Sequence, residues 1–278
     1  MNYMKTFVLL LTLTLILIWL GHMFAGPRGA VIAFVFAFFL NIGSYWFSDK
    51  IVLSMYGAKE VERHRAPVLH TIVEDLCIDA SLPMPRIYIM PKEVPNAFAT
   101  GRDPDHAAVC VTDGITKFLS EEELKGVLAH ELAHIKNRDT LIMTITATIA
   151  GAIMLIASMA RWAAIFGGRG RGRGGNVLTL LAIAIVAPLA ALIVQLAISR
   201  TREYAADRRG AGFAHSPYGL ANALKKLEQS AKRHSMNATP QTAHLFIVNP
   251  LRGGILATLF STHPPLEKRV ARLESMQL

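Results

Sequence analysis

Cysteine is nearly absent: the 278-residue chain has two, Cys77 and Cys110. Both sit among apolar residues and neither has ligand spacing, which excludes a disulfide scaffold and a cysteine-ligated metal. They read as reduced, buried thiols of a cytosol-facing domain. Nucleic-acid-binding motifs are also missing, and no long run of Lys or Arg occurs, so the net charge of +9 does not point to RNA or DNA. Charge is absent from four apolar stretches, at about 7–20, 29–47, 141–160 and 177–198. That argues against a transporter, whose path places polar groups inside its spans.

What is abundant is apolar surface. Just over half of the residues, 52%, are apolar, which implies lipid contact. The last three stretches have the ~20 residues that cross a bilayer core as helix, and 21–25 can extend the shorter first one. Lys5 before an apolar run also fits a cleaved leader, but Met23 and Ala25 make a poor cleavage site and a second apolar run follows at once. Four spans put the N-terminus, 49–140 and 199–278 on one side. That side carries Lys5, Lys50, Lys59, Lys136, Arg138, Arg200, Arg202, Arg208 and Arg209, which places it in the cytoplasm. The Gly-rich loop 167–175, GGRGRGRGG, objects with three arginines, and Arg161 precedes it. Either the larger cytoplasmic excess prevails, or spans three and four enter without fully crossing.

The remaining segments read as mixed α and β. A helical face runs through Leu69, Ile72, Val73, Leu76 and Cys77, between 66 and 80. Residues 86–89 and 107–112 read as strands. With 96–101 and the turn-rich 102–106 they form a β-hairpin with an extended outer edge. Ser216-Pro217 opens a helix through Leu220, Leu224 and Leu227, and 266–276 is a short last helix. Residues 235–250 have no clear period and read as a loop. His106, His215, His234 and His244 fall in loops and receive no role.

The chemistry concentrates in one helix. Ser120-Glu-Glu-Glu123 is a capping-box start, and Leu124, Val127, Leu128, Leu132 and Ile135 form its apolar set. The helix carries His130-Glu131-Leu132-Ala133-His134, the H-E-x-x-H pattern. Four residues is a little over one turn, so both imidazoles leave the same face and can reach one metal ion. Glu131 lies beside them, placed to take a proton from water at the metal and pass it to a leaving amine. Zinc needs a third protein ligand. Glu203, in Arg202-Glu-Tyr-Ala-Ala-Asp207, follows the fourth span by five residues, and His134 precedes the third span by seven. An antiparallel hairpin of these spans brings both helix extensions together near the membrane surface, which favours Glu203 as the ligand. Asp207 is then near enough to hold an imidazole N–H. His263 is open between two roles, a donor to the oxyanion at the scissile carbonyl and a capping or packing residue. Arg269 is open between a pair with Asp207 or Glu203 and a solvated face, and the solvated face is favoured. The expected reaction is metal-assisted peptide hydrolysis without a covalent enzyme intermediate. A catalytically dead scaffold would fit loss of Glu131 or a ligand, yet all four positions are intact.

The motifs H-E-L-A-H-I-K-N-R-D at 130–139, R-E-Y-A-A-D at 202–207, N-A-F-A-T-G at 96–101 and T-H-P-P at 262–265 resemble those of peptidase family M48. The resemblance extends over nearly the whole chain and keeps the family's order. It implies an α+β fold, a mainly helical gluzincin (zincin) protease domain with a small β-sheet, plus four transmembrane helices. The division would be two N-terminal spans (1–48), a first protease part with the H-E-x-x-H helix (49–140), a membrane hairpin with the Arg-Gly loop (141–198) and a second protease part with the third ligand (199–278). It further implies one Zn2+ per chain at His130, His134 and Glu203. It makes Asn96, Ala97, Phe98 and Ala99 an edge strand that binds substrate backbone by strand addition. The implied task is degradation of damaged or misfolded membrane proteins at a bacterial inner membrane, in stress-linked quality control, with the protease domain in the cytoplasm. Relatives that trim prenylated CaaX proteins have more spans, so that substrate is not implied. The Arg-Gly loop is outside the family pattern.

Overall fold

The computed structural model describes residues 2–146, 200–233, 247 and 264–277. Its first element, α1 (Asn2–Met55), is a helical run broken at Ala25 and Gly26. Gly26 has φ 59, a left-handed value that glycine adopts without strain, and Pro27 then starts the second arm with its fixed φ. The arms lie against each other. A Cβ at Gly21 would stand 2.4 Å from the Gly29 carbonyl oxygen, so the two glycines permit a backbone approach that larger residues forbid. Asn41 Nδ2 donates to Thr14 Oγ1 across the pair at 2.8 Å.

The second arm, Ala25–Met55, has 31 residues and a mean hydropathy of 1.9 in its most apolar stretch. Val31, Ile32, Phe34, Phe38 and Phe39 are exposed along it. Among the described residues it is the one helix long and apolar enough to cross a bilayer; the first arm's apolar part, Thr6–Trp19, is shorter. Four membrane helices are therefore not established. Of the expected third and fourth spans only 141–146 lies within the described residues, where it is helical.

The sheet has the order β1-β2-β4-β3, with β1 Lys59–Glu60, β2 Arg86–Met90, β3 Ala97–Gly101 and β4 Ala107–Thr112. β3 and β4 form the expected hairpin around 102–106, pairing Ala97 with Val111 and Gly101 with Ala107. β2, however, runs parallel to β4, with Arg86 opposite Ala108. The reason is burial. β4 reads AAVCVT and every residue of it is buried, so it takes the centre of the sheet and pairs on both edges. Alternate residues then feed two cores. Val109, Val111, Ala97 and Ala99 join the helical layer. Ala108, Cys110 and Phe98 join Val52, Leu53, Leu141, Ile142 and Ile145 beside α1.

The helical layer is α2 (Pro67–Ala80), the short α3 (Asp113–Phe118), α4 (Glu121–Asn137), α5 (Arg200–Ala214), α6 (Tyr218–Arg233) and α7 (Leu266–Glu274). α4 is its hub, packed on α2, α5, α6 and β3. Its start is the expected capping box: Ser120 Oγ accepts from Glu123 N, and Glu123 Oε2 accepts from Ser120 N at 2.8 Å. Lys226 of α6 binds the same Glu123 oxygen at 2.8 Å. The expected continuous helix from His134 towards 141 is not formed. α4 stops at Asn137, Arg138 adopts φ 57, and its N–H and that of Asp139 return to the His134 carbonyl. A new helical turn starts at residue 140. Both cysteines are buried thiols. Burial, with the charge of Glu74 adding for Cys77, pushes Cys77 up to about 11; burial alone pushes Cys110 up to about 12.

Candidate active site

The site is assembled on the second half of α4. His130 and His134 project from one face, with ring centroids 4.7 Å apart and rings nearly perpendicular. Their Nε2 atoms stand 3.2 Å apart. α5 supplies the carboxylate. It runs close to α4 because residue 210 is glycine: a Cβ there would lie 2.8 Å from the His130 backbone nitrogen. This approach sets Glu203 Oε1 3.5 Å from His134 Nε2 and Oε2 3.9 Å from His130 Nε2. One ligand atom from each of the three residues lies within 4.8 Å of the others, and all three side chains are buried.

Two observations test whether a zinc ion suits this set. Donor atoms 2.0–2.1 Å from a tetrahedral ion stand roughly 3.3 Å apart, and the His–His and His134–Glu203 separations of 3.2 and 3.5 Å bracket that value. The second is charge. Glu131, Asp139, Glu203 and Asp207 are all buried, against the two guanidinium groups of Arg202 and Arg269. With neutral imidazoles the cluster lacks two positive charges, and burying such an imbalance is costly. A dication corrects it. Protons are the other remedy: burial opposes charge on His134, but its bond to Asp139 and the charges of Glu203, Glu131 and Asp139 outweigh that and raise its pKa to about 9. The residues fit a divalent ion.

The far ring nitrogens are also held. Asp207 Oδ1 lies 3.0 Å from His130 Nδ1, close but angled away from a full hydrogen bond. Asp139 Oδ2 lies 3.4 Å from His134 Nδ1. Each carboxylate faces the nitrogen that points away from the cluster, so each favours the tautomer with Nε2 turned inward. Asp207 is in turn gripped by Arg269, whose Nε and Nη2 donate to it at 2.9 and 2.7 Å. Burial raises the Asp207 pKa, but Arg269 and then His130 outweigh it and hold the carboxyl below its ordinary value.

Arg269 takes the less favoured of its two sequence readings, the pair with Asp207. It is 1% exposed, not part of a solvated face, and it also reaches Glu203 at 3.5 Å and the Ile247 carbonyl at 3.4 Å. A charged residue on an amphipathic helix reads as solvated unless its partner is known, and Asp207 is 62 positions away. Asp139 was available in the sequence, five residues after His134. The sequence reading assigned it no role; the left-handed cap at Arg138 turns it towards His134.

Glu131 is buried beside the histidines, and the backbone N–H of Ala99 in β3 donates to its Oε2 at 2.7 Å. Burial raises its pKa and the Glu203 charge adds to this, against His130, His134 and the Ala99 N–H. The Asn96 carbonyl accepts from Thr112 N and so faces β4, while the Ala99 N–H faces outward to Glu131. That alternation aims the backbone of Ala97 and Ala99 at the outer edge. The Asn96 and Phe98 side chains have structural partners: Asn96 Oδ1 accepts from Ile247 N at 3.2 Å, and the Phe98 ring centroid is 5.8 Å from that of Tyr56. All five residues of β3 are buried, so an added strand requires the covering groups to move. His263, the 167–175 loop and all of 235–250 except Ile247 lie outside the described residues.

Comparison with known proteins points the same way. Residues 63–277 match the model of peptidase family M48. The chain is 54% identical over 278 residues to the protease HtpX homolog of Syntrophobacter fumaroxidans, covering 98% of both chains. It is 55% identical to that of Syntrophotalea carbinolica, covering 99% of both. It is 51% identical to that of Pyrococcus furiosus, covering 99% of this chain and 96% of the relative. In fold it is similar to the crystal structure of S. mikatae Ste24p, with TM-score 0.53 at 19% identity, over 98% of this chain and 66% of that one.

Proposed function

The chain belongs to peptidase family M48 and is a metalloprotease, and from that premise we propose a membrane-bound, zinc-dependent endopeptidase that holds its ion with His130, His134 and Glu203. The observation that carries this is the convergence of two imidazole nitrogens and a carboxylate oxygen, with Glu131 beside them and anchored to the edge strand. When bound, zinc supplies a Lewis acid at the scissile carbonyl and makes a water proton easier to remove. Glu131 takes that proton on a carboxylate oxygen and hands it to the leaving amine. Burial beside the cluster raises the Glu131 pKa, which makes its carboxylate a stronger base. Asp207 and Asp139 hold the imidazole Nδ1 atoms, and Arg269 fixes Asp207. An extended substrate segment pairs with the backbone of Ala97 and Ala99, which places a peptide bond against Glu131 without reading its side chains closely. We assign His263 the role of donor to the oxyanion, over the capping or packing role that the sequence leaves open.

The substrates we assign are misfolded or damaged polypeptides, membrane proteins among them, cleaved on the cytoplasmic side of a bacterial inner membrane as quality control. The segments 1–48 and 141–198 act as membrane spans around the protease parts 49–140 and 199–278. The exposed apolar arm Ala25–Met55 supports membrane attachment.

Purified full-length protein tests the reading. Glu131→Gln should retain zinc and lose casein cleavage by at least about 10²-fold, the usual worth of a positioned base. His130→Ala should lose both. His263→Gln should keep zinc and lower kcat rather than raise KM. A Glu131→Gln enzyme that still cleaves, or cleavage that persists after complete metal removal, would contradict the assignment.

A further inference from the structure

A second polar cavity lies well outside the catalytic cluster, where α1 meets the sheet. It has a volume of about 400 Å³ and is lined by Trp46 and Lys50 of α1, Arg86 of β2, and Arg102 of the turn after β3, with Asp49 and Asp105 also on its wall. The mechanism uses none of these residues. We propose that this cavity binds the phosphodiester headgroup of an anionic membrane lipid. The inference rests on the reading of Ala25–Met55 as a membrane span.

Depth is the first argument. About 20 residues of helix cross the hydrocarbon core. Counted from Ala25, the arm emerges near Trp46, and Trp46, Phe47 and Met84 are 51%, 52% and 45% exposed there. Exposed aromatic side chains at the end of a span mark the headgroup layer. Lys50 follows Trp46 by one turn on the same helix face.

Charge is the second. Arg86 is already committed, donating to Asp49 at 2.9 Å and to the Tyr88 hydroxyl at 3.1 Å, so it builds the wall and neutralises Asp49. Lys50 has no ion-pair partner among the described residues; its ammonium lies over the Phe47 ring at 5.9 Å. Arg102 stacks on Trp46 at 4.8 Å and meets Asp103 at 3.4 Å, the long end of ion-pair range. Lys50 thus remains to meet a ligand at the membrane surface, with Arg102, shared with Asp103, beside it, and basic pockets there hold anionic headgroups. A guanidinium fixed by stacking presents its N–H groups in the geometry that phosphate oxygens accept.

Selectivity is the third. Three cations face two carboxylates in the lining, and Asp103 stands behind, bonded to His106 at 2.7 Å. Asp103 also meets Arg102, so with it the charges balance, and a singly charged phosphodiester suits such a lining better than a dianion does. A doubly charged free phosphate would meet the same two carboxylates with no apolar part to place on Trp46 and Phe47. The glycerophosphate diester of a lipid has both.

The test uses full-length protein in neutral detergent, with native mass spectrometry reading bound lipid. Phosphatidylglycerol and phosphatidylcholine with identical acyl chains are compared, and inorganic phosphate and glycerol 3-phosphate serve as competitors. Phosphatidylglycerol should be retained about tenfold or more over phosphatidylcholine. Lys50→Ala/Arg102→Ala should lose that preference, and Lys50→Arg/Arg102→Lys should keep it. Zinc content checks that each variant is folded; should the alanine pair lose zinc, the two-lipid comparison and the charge-keeping pair decide. Equal retention of the two lipids, a preference that survives in the folded alanine pair, or displacement by the soluble phosphates at matched concentration would each overturn the proposal. A chain that stays soluble without detergent would overturn the membrane reading itself, a distinct outcome.

Discussion

The N-terminal hairpin and the α4–α5–α7 cluster invert the ordinary arrangement of a protein in opposite ways. The hairpin turns Phe34, Phe38 and Phe39 outward, while the cluster turns Glu131, Asp139, Glu203, Asp207 and Arg269 inward. In water both arrangements are unfavourable: large apolar side chains are rarely exposed in contiguous stretches, and ionised groups are rarely fully buried unless paired. The contrast teaches that each region is built for a medium other than water. On the proposed function, lipid would relieve the first. A divalent ion, with the guanidinium groups of Arg202 and Arg269, would relieve the second. The sheet lies between them, feeding alternate side chains to the two cores, and Ala99 connects it to the Glu131 carboxylate.

Breaking the buried side of this comparison should have the largest effect. Arg269→Met leaves Asp207 buried without its partner, and losing one member of such a pair costs about 3–5 kcal/mol. Thermal unfolding in detergent should show it as a large fall in Tm, and zinc occupancy should fall with it. Asp207→Asn combined with Arg269→Met should recover part of the loss, because the uncompensated charge is gone. A single variant as stable as the parent would mean that Arg269 does not balance the cluster.

The exposed side breaks next. Phe38→Lys places a charge on the outward face of the apolar arm, at an insertion cost of about 3 kcal/mol if that face meets lipid. Phe118→Lys, on an exposed side chain of the catalytic part, should change stability by no more than about 0.5 kcal/mol. Fractionation of the two variants between membrane and soluble pools separates the cases. Equal behaviour would show that the hairpin meets water.

The smallest effects concern the start of α4, where the charge of Glu123 is matched by a half-exposed lysine. Ser120→Ala should cost about 1 kcal/mol through loss of the cap. Glu123 adds a pH dependence. Burial raises its pKa, but the hydrogen bond and charge of Lys226 and the Ser120 N–H outweigh that and hold it below its ordinary 4.5. The unfolded chain therefore binds the proton first as pH falls. The contribution is fully present above about 4.5 and disappears as pH drops through the lower folded value. Lys226 is half exposed, so Lys226→Ala should remove less than about 1 kcal/mol of it. Denaturant midpoints at pH 7 and pH 3.5 measure the difference.

How much of this was legible depended on the range of the signal. The capping box and the paired histidines of α4 are written within 15 consecutive residues, and the helix formed where that local pattern put it. Glu203 could be named because its own segment and its distance from a span pointed to it. The parallel pairing of β2 with β4 could not, since it follows from β4 being buried on both faces, which no alternation within 86–90 reveals. The Arg269–Asp207 pair was legible only as the less favoured alternative, because the Arg269 helix looks amphipathic and solvated until α5 is packed against it. Asp139 was not singled out, because its approach to His134 depends on the left-handed Arg138 that ends α4.

The central claim is that one cation is gripped by two imidazoles of α4 and a carboxylate of α5. Zinc-edge X-ray absorption on purified full-length protein, paired with metal content, tests it most directly. One zinc per chain in a shell of nitrogen and oxygen at about 2.0–2.1 Å is expected, with occupancy lost in Glu203→Ala. A shell containing sulfur at about 2.3 Å, or full occupancy in Glu203→Ala, would contradict it.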